Sequence, residues 1–259
     1  MKFIFPIAVS IVCMLAACSK SNDDKVTPEG PGAGTNVKTG VYVISNLVAD
    51  TSATSAVGAA TIYYSLEQNR VVPASQAQTN NWDIAFTNIY NSSIAPNNGK
   101  ASNSPGFGGP GQGALYLVRT KAVEDQFLDE AANKPKQVPI PQTLFDASFS
   151  DVKTVAIADA DFITNDYVGM DHFMGSGFGF AFYDFYGNLF PGNAKKAHIV
   201  YPFPRTMIVK TAKGKYAKLQ IISMYKDSPQ DPNRDNKTGY LSFRFAIQMD
   251  GSRNLDLAK

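Results

Sequence analysis

The chain has 259 residues, a formal net charge of +2 and no run of basic residues. This length is enough to bury the core of one all-β domain or of two small domains. The near balance of charge excludes the clustered lysine and arginine that nucleic-acid-binding proteins present on one face.

The N-terminal segment has the features of an export signal. Lys2 is followed by an apolar stretch from Phe3 to Leu15, which is too short for a bilayer crossing of about 20 residues. The sequence LAAC then ends at Cys18 and resembles a bacterial lipoprotein signal, in which the cysteine becomes the lipidated first residue of the mature chain. We therefore expect a signal peptide over residues 1–17 and lipidation of Cys18, with an ordinary secretory signal as the alternative.

The cysteine content agrees with this interpretation. Cys13, the only other cysteine, would be removed with the signal, so the mature domain would have no thiol for a disulfide or a cysteine-ligated metal. Removing 17 residues from 259 leaves 242 for the mature chain.

Residues 18–38 are predicted to form a lipidated flexible tether. They are polar and rich in glycine and proline, so they cannot bury apolar surface. The acidic pair Asp23–Asp24 resembles the surface-export signal of lipoproteins in the Bacteroidetes. We therefore expect an outer-membrane protein that is exposed at the cell surface and attached to the membrane only by its lipid.

Residues 39–259 are predicted to form a single, mostly antiparallel all-β domain with long loops and little helix. Strand-like segments rich in β-branched and aromatic residues alternate with turn formers along this region. The segment GYLSFRFAIQMDG alternates so that Leu241, Phe243, Phe245 and Ile247 fall on one face. Only residues 123–134 look helical, and residues 145–162 are ambiguous. The polar, glycine-rich stretch 91–113 is predicted to be a functional or a disordered loop.

The sequence offers no candidate machinery for catalysis. It contains no G-x-S-x-G elbow and no HExxH motif, and its glycine-rich stretches lack the Gly-Lys-Ser/Thr ending of a phosphate-binding loop. We therefore expect a protein that is not an enzyme. Asp231, Asn233 and Asp235 alternate as calcium ligands do, but no bidentate glutamate follows, and this favours a plain turn.

Three stretches resemble the HmuY-like family of heme-binding lipoproteins of the Bacteroidetes. They are NNWDIAFTNIY (80–90), GKYAKLQIISMYKD (214–227) and YLSFRFAIQMDGS (240–252). Their order, the lipoprotein start and the length also match, so the similarity covers roughly residues 40 to 252. These motifs are structural, since Trp82 and Phe86 are spaced to share a strand face.

The resemblance implies an all-β fold and the function of a hemophore. Such a protein takes heme from host or environmental hemoproteins and passes it to a TonB-dependent outer-membrane transporter. Members of the family hold heme through two axial side chains, which are histidines in some and methionines in others. The motifs themselves equally fit a glycan- or protein-binding surface lipoprotein that has the same fold without a heme site.

Heme requires a slot with apolar walls and one axial donor on each side of the iron. His172 and His198 are the only histidines, 26 positions apart, and we expect them to be the axial ligands. Met170 and Met174 are the alternative donors. The walls would come from the aromatic residues between the histidines: Phe173, Phe178, Phe180, Phe182, Tyr183, Phe185, Tyr186 and Phe190. Lys195 and Lys196 are expected to meet the heme propionates.

Overall fold

The computed structural model describes residues 35–53, 58–171 and 178–257, so Cys18, His172 and Met174 lie outside the described residues. Within these ranges the chain forms thirteen β-strands and two α-helices, α1 (Lys121–Phe127) and α2 (Gln142–Asp151). All strand pairs in these ranges are antiparallel, which confirms the predicted fold class. The strands are β1 (Gly40–Val48), β2 (Ile62–Ser65), β3 (Arg70–Val72), β4 (Ile84–Thr87), β5 (Ser93–Pro96), β6 (Ala114–Val118), β7 (Leu128–Asp129), β8 (Lys134–Pro135), β9 (Ala181–Asp184), β10 (Ile199–Pro202), β11 (Thr206–Lys210), β12 (Tyr216–Tyr225) and β13 (Thr238–Gln248).

A five-stranded sheet and a four-stranded sheet enclose the main core. Their strand orders are β1-β13-β12-β11-β6 and β3-β2-β4-β5. The apolar face predicted for β13 is confirmed, because Leu241, Phe243, Phe245 and Ile247 are all buried in this core. The ring of Phe243 meets Tyr64 edge-on at 5.3 Å, which joins the two sheets.

Trp82 does not share a strand face with Phe86, contrary to the sequence prediction. Phe86 belongs to the main core, whereas Trp82 packs in a separate cluster with Val72 and Ala85. Trp82 precedes the first residue of β4 and is therefore outside the alternation of that strand. Its indole Nε1–H donates to the carbonyl of Ala77 at 2.8 Å, which satisfies the one polar atom of a buried side chain.

Asp83, in the first family-like motif, is bonded to the turn that precedes the second. Its carboxylate accepts backbone hydrogen bonds from Leu66 at 2.7 Å and from Ala212 at 3.0 Å, the latter in the turn that precedes β12. Burial, followed by the charge of Glu67, raises the pKa of Asp83 to about 6. This aspartate therefore joins the smaller sheet to the larger one.

Helix α2 covers the outer face of the five-stranded sheet. Arg244 and Gln220 donate to the carbonyl of Phe145 at 2.8 and 3.1 Å, and Lys218 donates to the carbonyl of Phe149 at 2.8 Å. Burial lowers the pKa of Lys218 to about 8. The sequence left this region ambiguous, and the structure shows that residues 142–151 form a second helix.

The helix predicted over residues 123–134 ends earlier, at Phe127. The chain then forms a short hairpin in which β7 pairs with β8. Pairing with a neighbouring strand has overridden the local helical preference of these residues.

The glycine-rich stretch that follows β5 is folded. The side-chain amide of Asn97 donates to the carbonyls of Thr79 and Trp82, both at 2.8 Å. A Cβ atom on Gly99 would lie 1.7 Å from the carbonyl oxygen of Gly109. Close packing of backbone on backbone therefore explains why this loop is rich in glycine.

The described chain contacts the domain from Val37 onward. Its backbone N–H donates to the carbonyl of Glu67 at 2.8 Å, and its side chain packs against the main core. These contacts begin two residues before the predicted boundary at residue 39. Among the described residues, no helix combines the length and apolar character that a bilayer crossing needs.

Candidate functional site

The candidate site is built on a two-stranded ribbon at one side of the main core. Strand β9 pairs with β10, and Asp184 lies opposite Ile199. The segment before His172 runs along the other edge of β9, where Asp171 forms a parallel bridge with Phe182. Phe182 and Tyr201 are buried with Phe127 in a second apolar cluster, which anchors the ribbon to the domain.

His198 lies at the start of β10 with its side chain exposed to solvent. Its backbone adopts a left-handed conformation, with φ of 61°, and its N–H donates to the carbonyl of Asp184 at 2.8 Å. This conformation is uncommon for a residue other than glycine, and the strand pairing holds it in place.

The ring of His198 is fixed by aromatic neighbours. Its Nδ1 atom lies 2.9 Å from the hydroxyl of Tyr183, and the ring of Phe185 meets it edge-on at 4.6 Å. Tyr186 in turn packs edge-on against Phe185 at 4.9 Å and is 63% exposed. The arrangement is an accessible imidazole on an aromatic surface.

Two further side chains influence the pKa of Tyr183. Desolvation raises the pKa of Tyr183, the positive charge of Arg234 lowers it, and Tyr90 raises it. Tyr90 is 51% exposed and has a left-handed backbone with φ of 49°. Arg234 is exposed as well.

Met170 is partly buried and packs against the main core. The next residue, Asp171, donates its backbone N–H to the carbonyl of Ala181 at 2.7 Å and accepts from the N–H of Tyr183 at 2.7 Å. The main chain of Tyr183 is thus bonded to the residue that precedes His172, while its hydroxyl contacts His198. His172 and Met174 themselves lie outside the described residues.

The residues on either side of the segment 172–177 are held together. The carboxylate of Asp171 accepts from the backbone N–H groups of Phe178 and Gly179, both at 3.0 Å. A Cβ atom on Gly179 would lie 2.2 Å from the backbone nitrogen of Asp171, so only glycine fits there. We call Asp171, Phe178 and Gly179 the loop clamp.

A buried arginine supports the loop clamp. The side chain of Arg205 is 0% exposed and makes a bidentate pair with Glu124 of α1, at 2.8 Å from Nε and 2.6 Å from Nη2. Its Nη1 donates to the carbonyl of Gly179 at 2.6 Å and lies 3.4 Å from the carboxylate of Asp171. The ring of Phe203 lies 4.6 Å below the guanidinium.

Sequence reasoning missed this cluster and used Tyr183 only as an aromatic wall. The available signal was a charged residue inside an apolar segment, as Arg205 is in YPFPRTMIV and Asp171 is in YVGMD. Such a residue must find a partner when it is buried.

The prediction that Lys196 meets the propionates is wrong. Its side chain is buried, pairs with Asp231, donates to the carbonyl of Pro232 and lies 5.0 Å from the centre of the Phe190 ring. Lys195 pairs with Asp235 at 2.6 Å. The two aspartates of the calcium-like sequence are thus engaged by lysines, which supports the plain turn. Within the ranges that the structure describes, no group of three or more histidine, cysteine, aspartate or glutamate residues could hold a metal ion.

Comparisons with known proteins give one family and several solved structures. The model of the HmuY protein family matches residues 59–245. A protein of Bacteroides fragilis described as a lipoprotein is 11% identical, with a TM-score of 0.34 over 82% of this chain and 92% of that chain. A protein of Bacteroides vulgatus described as HmuY-like and heme-binding is 11% identical, with a TM-score of 0.36 over 82% and 94%. The apo HmuY analog of Tannerella forsythia is 14% identical, with a TM-score of 0.33 over 80% and 96%. No curated protein matches the chain by sequence.

Proposed function

Because the chain belongs to the HmuY family, we propose that it is an exported lipoprotein that binds heme at the ribbon and loop clamp. The observation that carries this proposal is the exposed imidazole of His198 on an aromatic surface. Since Nδ1 faces the Tyr183 hydroxyl, Nε2 is the nitrogen that can bind iron. Bound heme would supply an iron centre, for which an imidazole is an ordinary axial ligand.

We propose His172 as the second axial ligand, with Met170 and Met174 as the alternatives. The support for His172 is its attachment to Asp171, which is bonded through its backbone to Tyr183. The packing of Met170 against the core is a role that needs no iron.

The aromatic surface offers the apolar contact that a porphyrin requires. Phe185 packs against both His198 and Tyr183, and Tyr186 packs against Phe185. Arg234 replaces Lys196 as a proposed partner of a propionate, because it is exposed and its backbone N–H donates to the carbonyl of Lys195 at 2.9 Å.

The wider function follows from the family and the N-terminal sequence. The protein would be anchored in the outer membrane through Cys18, would take heme from host or environmental hemoproteins, and would deliver it to a TonB-dependent transporter. It would serve iron acquisition without acting as an enzyme or binding nucleic acid.

A hemin titration followed in the Soret region tests the proposal. Wild-type mature protein should give a Soret shift and, with two imidazole ligands, a low-spin ferric spectrum. His172→Ala and His198→Ala should each weaken binding and shift the spectrum toward high spin, and the double variant should nearly abolish specific binding. Phe107→Ala is the matched control, because it removes a 51% exposed ring from another loop.

Two outcomes would contradict parts of the proposal. An unchanged spectrum in the double histidine variant would exclude paired histidines and direct attention to Met170 and Met174. No Soret shift of the wild type in either redox state would exclude heme binding. The exposed rings of Tyr90 and Tyr186 then favour the second candidate, a glycan- or protein-binding surface lipoprotein, since exposed aromatic rings can stack on sugars or pack against a partner.

A further inference from the structure

We propose that Tyr183 is the positioning residue that orients His198 toward heme iron and increases the electron donation of its imidazole. This inference rests on the proposed function. It concerns the residue behind the ligand, whose hydroxyl lies 2.9 Å from His198 Nδ1.

The chemistry of imidazole fixes the direction of this hydrogen bond once iron is bound. Binding of iron to Nε2 leaves the ring proton on Nδ1, so Nδ1–H donates and the oxygen of Tyr183 accepts. A ligating histidine commonly makes such a bond through its other ring nitrogen, which sets the tautomer, holds the ring plane and raises the basicity of the ligand.

The geometry around Tyr183 is suited to this role. Strand pairing places Tyr183 opposite Val200 and places Asp184 opposite Ile199, the residue that follows His198. The His198 N–H bond to the carbonyl of Asp184, at 2.8 Å, sets the direction in which the imidazole leaves the backbone. The phenol and the imidazole thus extend from adjacent strands at a fixed register.

The backbone also holds Tyr183 in place. Its N–H donates to the carbonyl of Asp171 at 2.7 Å, while its hydroxyl contacts His198. Tyr183→Phe would remove only the hydroxyl. The backbone bond and the ring packing against Phe185, at 5.8 Å between centroids, would be retained.

The test compares Tyr183→Phe with Tyr42→Phe. The second variant also removes a hydrogen-bonded tyrosine hydroxyl, which donates to the carbonyl of Lys38 at 2.8 Å, but it lies on β1, outside the proposed site. Three quantities are measured: the hemin dissociation constant, the reduction potential of the bound heme, and the imidazole ¹⁵N shifts of the heme-free protein.

Tyr183→Phe should weaken ferric hemin binding by about 10- to 100-fold, as loss of a hydrogen bond behind a metal ligand typically does. The reduction potential should rise, because a less basic imidazole stabilises ferric iron less. A tenfold loss of ferric relative to ferrous affinity corresponds to about 59 mV for one electron. The ¹⁵N shift of His198 Nδ1 in the heme-free protein should change as well, and Tyr42→Phe should leave all three quantities at their wild-type values.

If Tyr183→Phe leaves the hemin affinity, the reduction potential and the Nδ1 shift unchanged, the inference is overturned. The proposed function would still stand in that case, provided that the wild type binds hemin. Equal effects of the two variants would also overturn it, because the loss of any hydrogen-bonded tyrosine hydroxyl would then have the same consequence. If the wild type binds no hemin, the proposed function fails first and the positioning role fails with it.

Discussion

Replacing Arg205 with glutamine removes the only cation that the described residues place against both Glu124 and Asp171. The three side chains are 0%, 4% and 1% exposed, respectively. Glutamine keeps one amide donor but carries no charge, so both carboxylates would remain in a nearly dry environment. We expect a large loss of stability for this reason.

The magnitude follows from the burial of the cluster. Removing one partner of a buried ion pair typically costs about 3–5 kcal/mol, because the remaining charge is left uncompensated. Arg119, whose Nη2 lies 3.3 Å from Glu124, retains part of the compensation, so the expected loss is about 3 kcal/mol at the lower end of that range. For a domain of this size such a loss lowers the thermal midpoint by roughly 6–12 °C.

Urea unfolding followed by the single tryptophan measures this loss. Lys121→Gln is the matched control, because Lys121 pairs with Asp125 at 2.7 Å on the same helix but both side chains are more than half exposed. An exposed pair of this kind contributes only about 0.3–0.5 kcal/mol. Combining Arg205→Gln with Glu124→Gln should cost less than the sum of the two single changes. A loss below about 1 kcal/mol for Arg205→Gln, or one equal to that of the control, would refute the reasoning.

Three further predictions concern other parts of the molecule. Gly179→Ala should weaken hemin binding at least about tenfold and destabilise the fold by about 1–3 kcal/mol, because its Cβ would lie 2.2 Å from the nitrogen of Asp171. Gly40→Ala is the control, because the nearest atom to its Cβ would be 3.9 Å away. Equal effects of the two variants in hemin titration and urea unfolding would contradict this account. The pKa of Asp83 is raised to about 6 in the folded chain, from about 3.9 in the unfolded chain. The folded state therefore binds more protons between these two values, and the free energy of unfolding should fall as pH rises from about 4 to 6. Urea unfolding at several pH values should show this contribution in the wild type and not in Asp83→Asn. Stable anchoring needs at least two lipid signals, and Cys18→Ala would remove the residue that carries the lipid. The variant should therefore move from the membrane fraction to the soluble fraction. Its persistence on membranes after a carbonate wash would exclude lipidation as the anchor.

The strands could be predicted from the sequence because their signal is local. In β13 the apolar residues alternate with period two, which indicates the side chains that face the other sheet. All four residues predicted from this pattern are buried: Leu241, Phe243, Phe245 and Ile247. Helix α2 left a weaker signal. It spans ten residues, begins after Pro141 without a side-chain cap, and is covered by long polar side chains such as Arg244 that reach it from the sheet. Its stability comes from packing against the sheet, and a short stretch of sequence does not show such tertiary contacts.

The candidate site was only partly predictable, for a related reason. The sequence singled out His198 because histidine is rare in this chain, but it did not pair His198 with Tyr183, since that contact depends on the register of β9 and β10. The partners Glu124 and Arg205 are 81 positions apart, so their pairing is a property of the folded chain. Lys196 shows the reverse error, because a lysine expected on the surface is buried against Asp231.

The bonds of Arg205 also determine which parts of the native protein open together. Amide hydrogens exchange with solvent through local openings, and each opening must break the contacts that hold the segment. Opening of α1 at Glu124 and opening of the chain at Gly179 break bonds to the same guanidinium. The amides of these two regions should therefore exchange as one cooperative unit. A ligand held beside the loop clamp would then slow exchange in α1, a helix that supplies none of the proposed ligands.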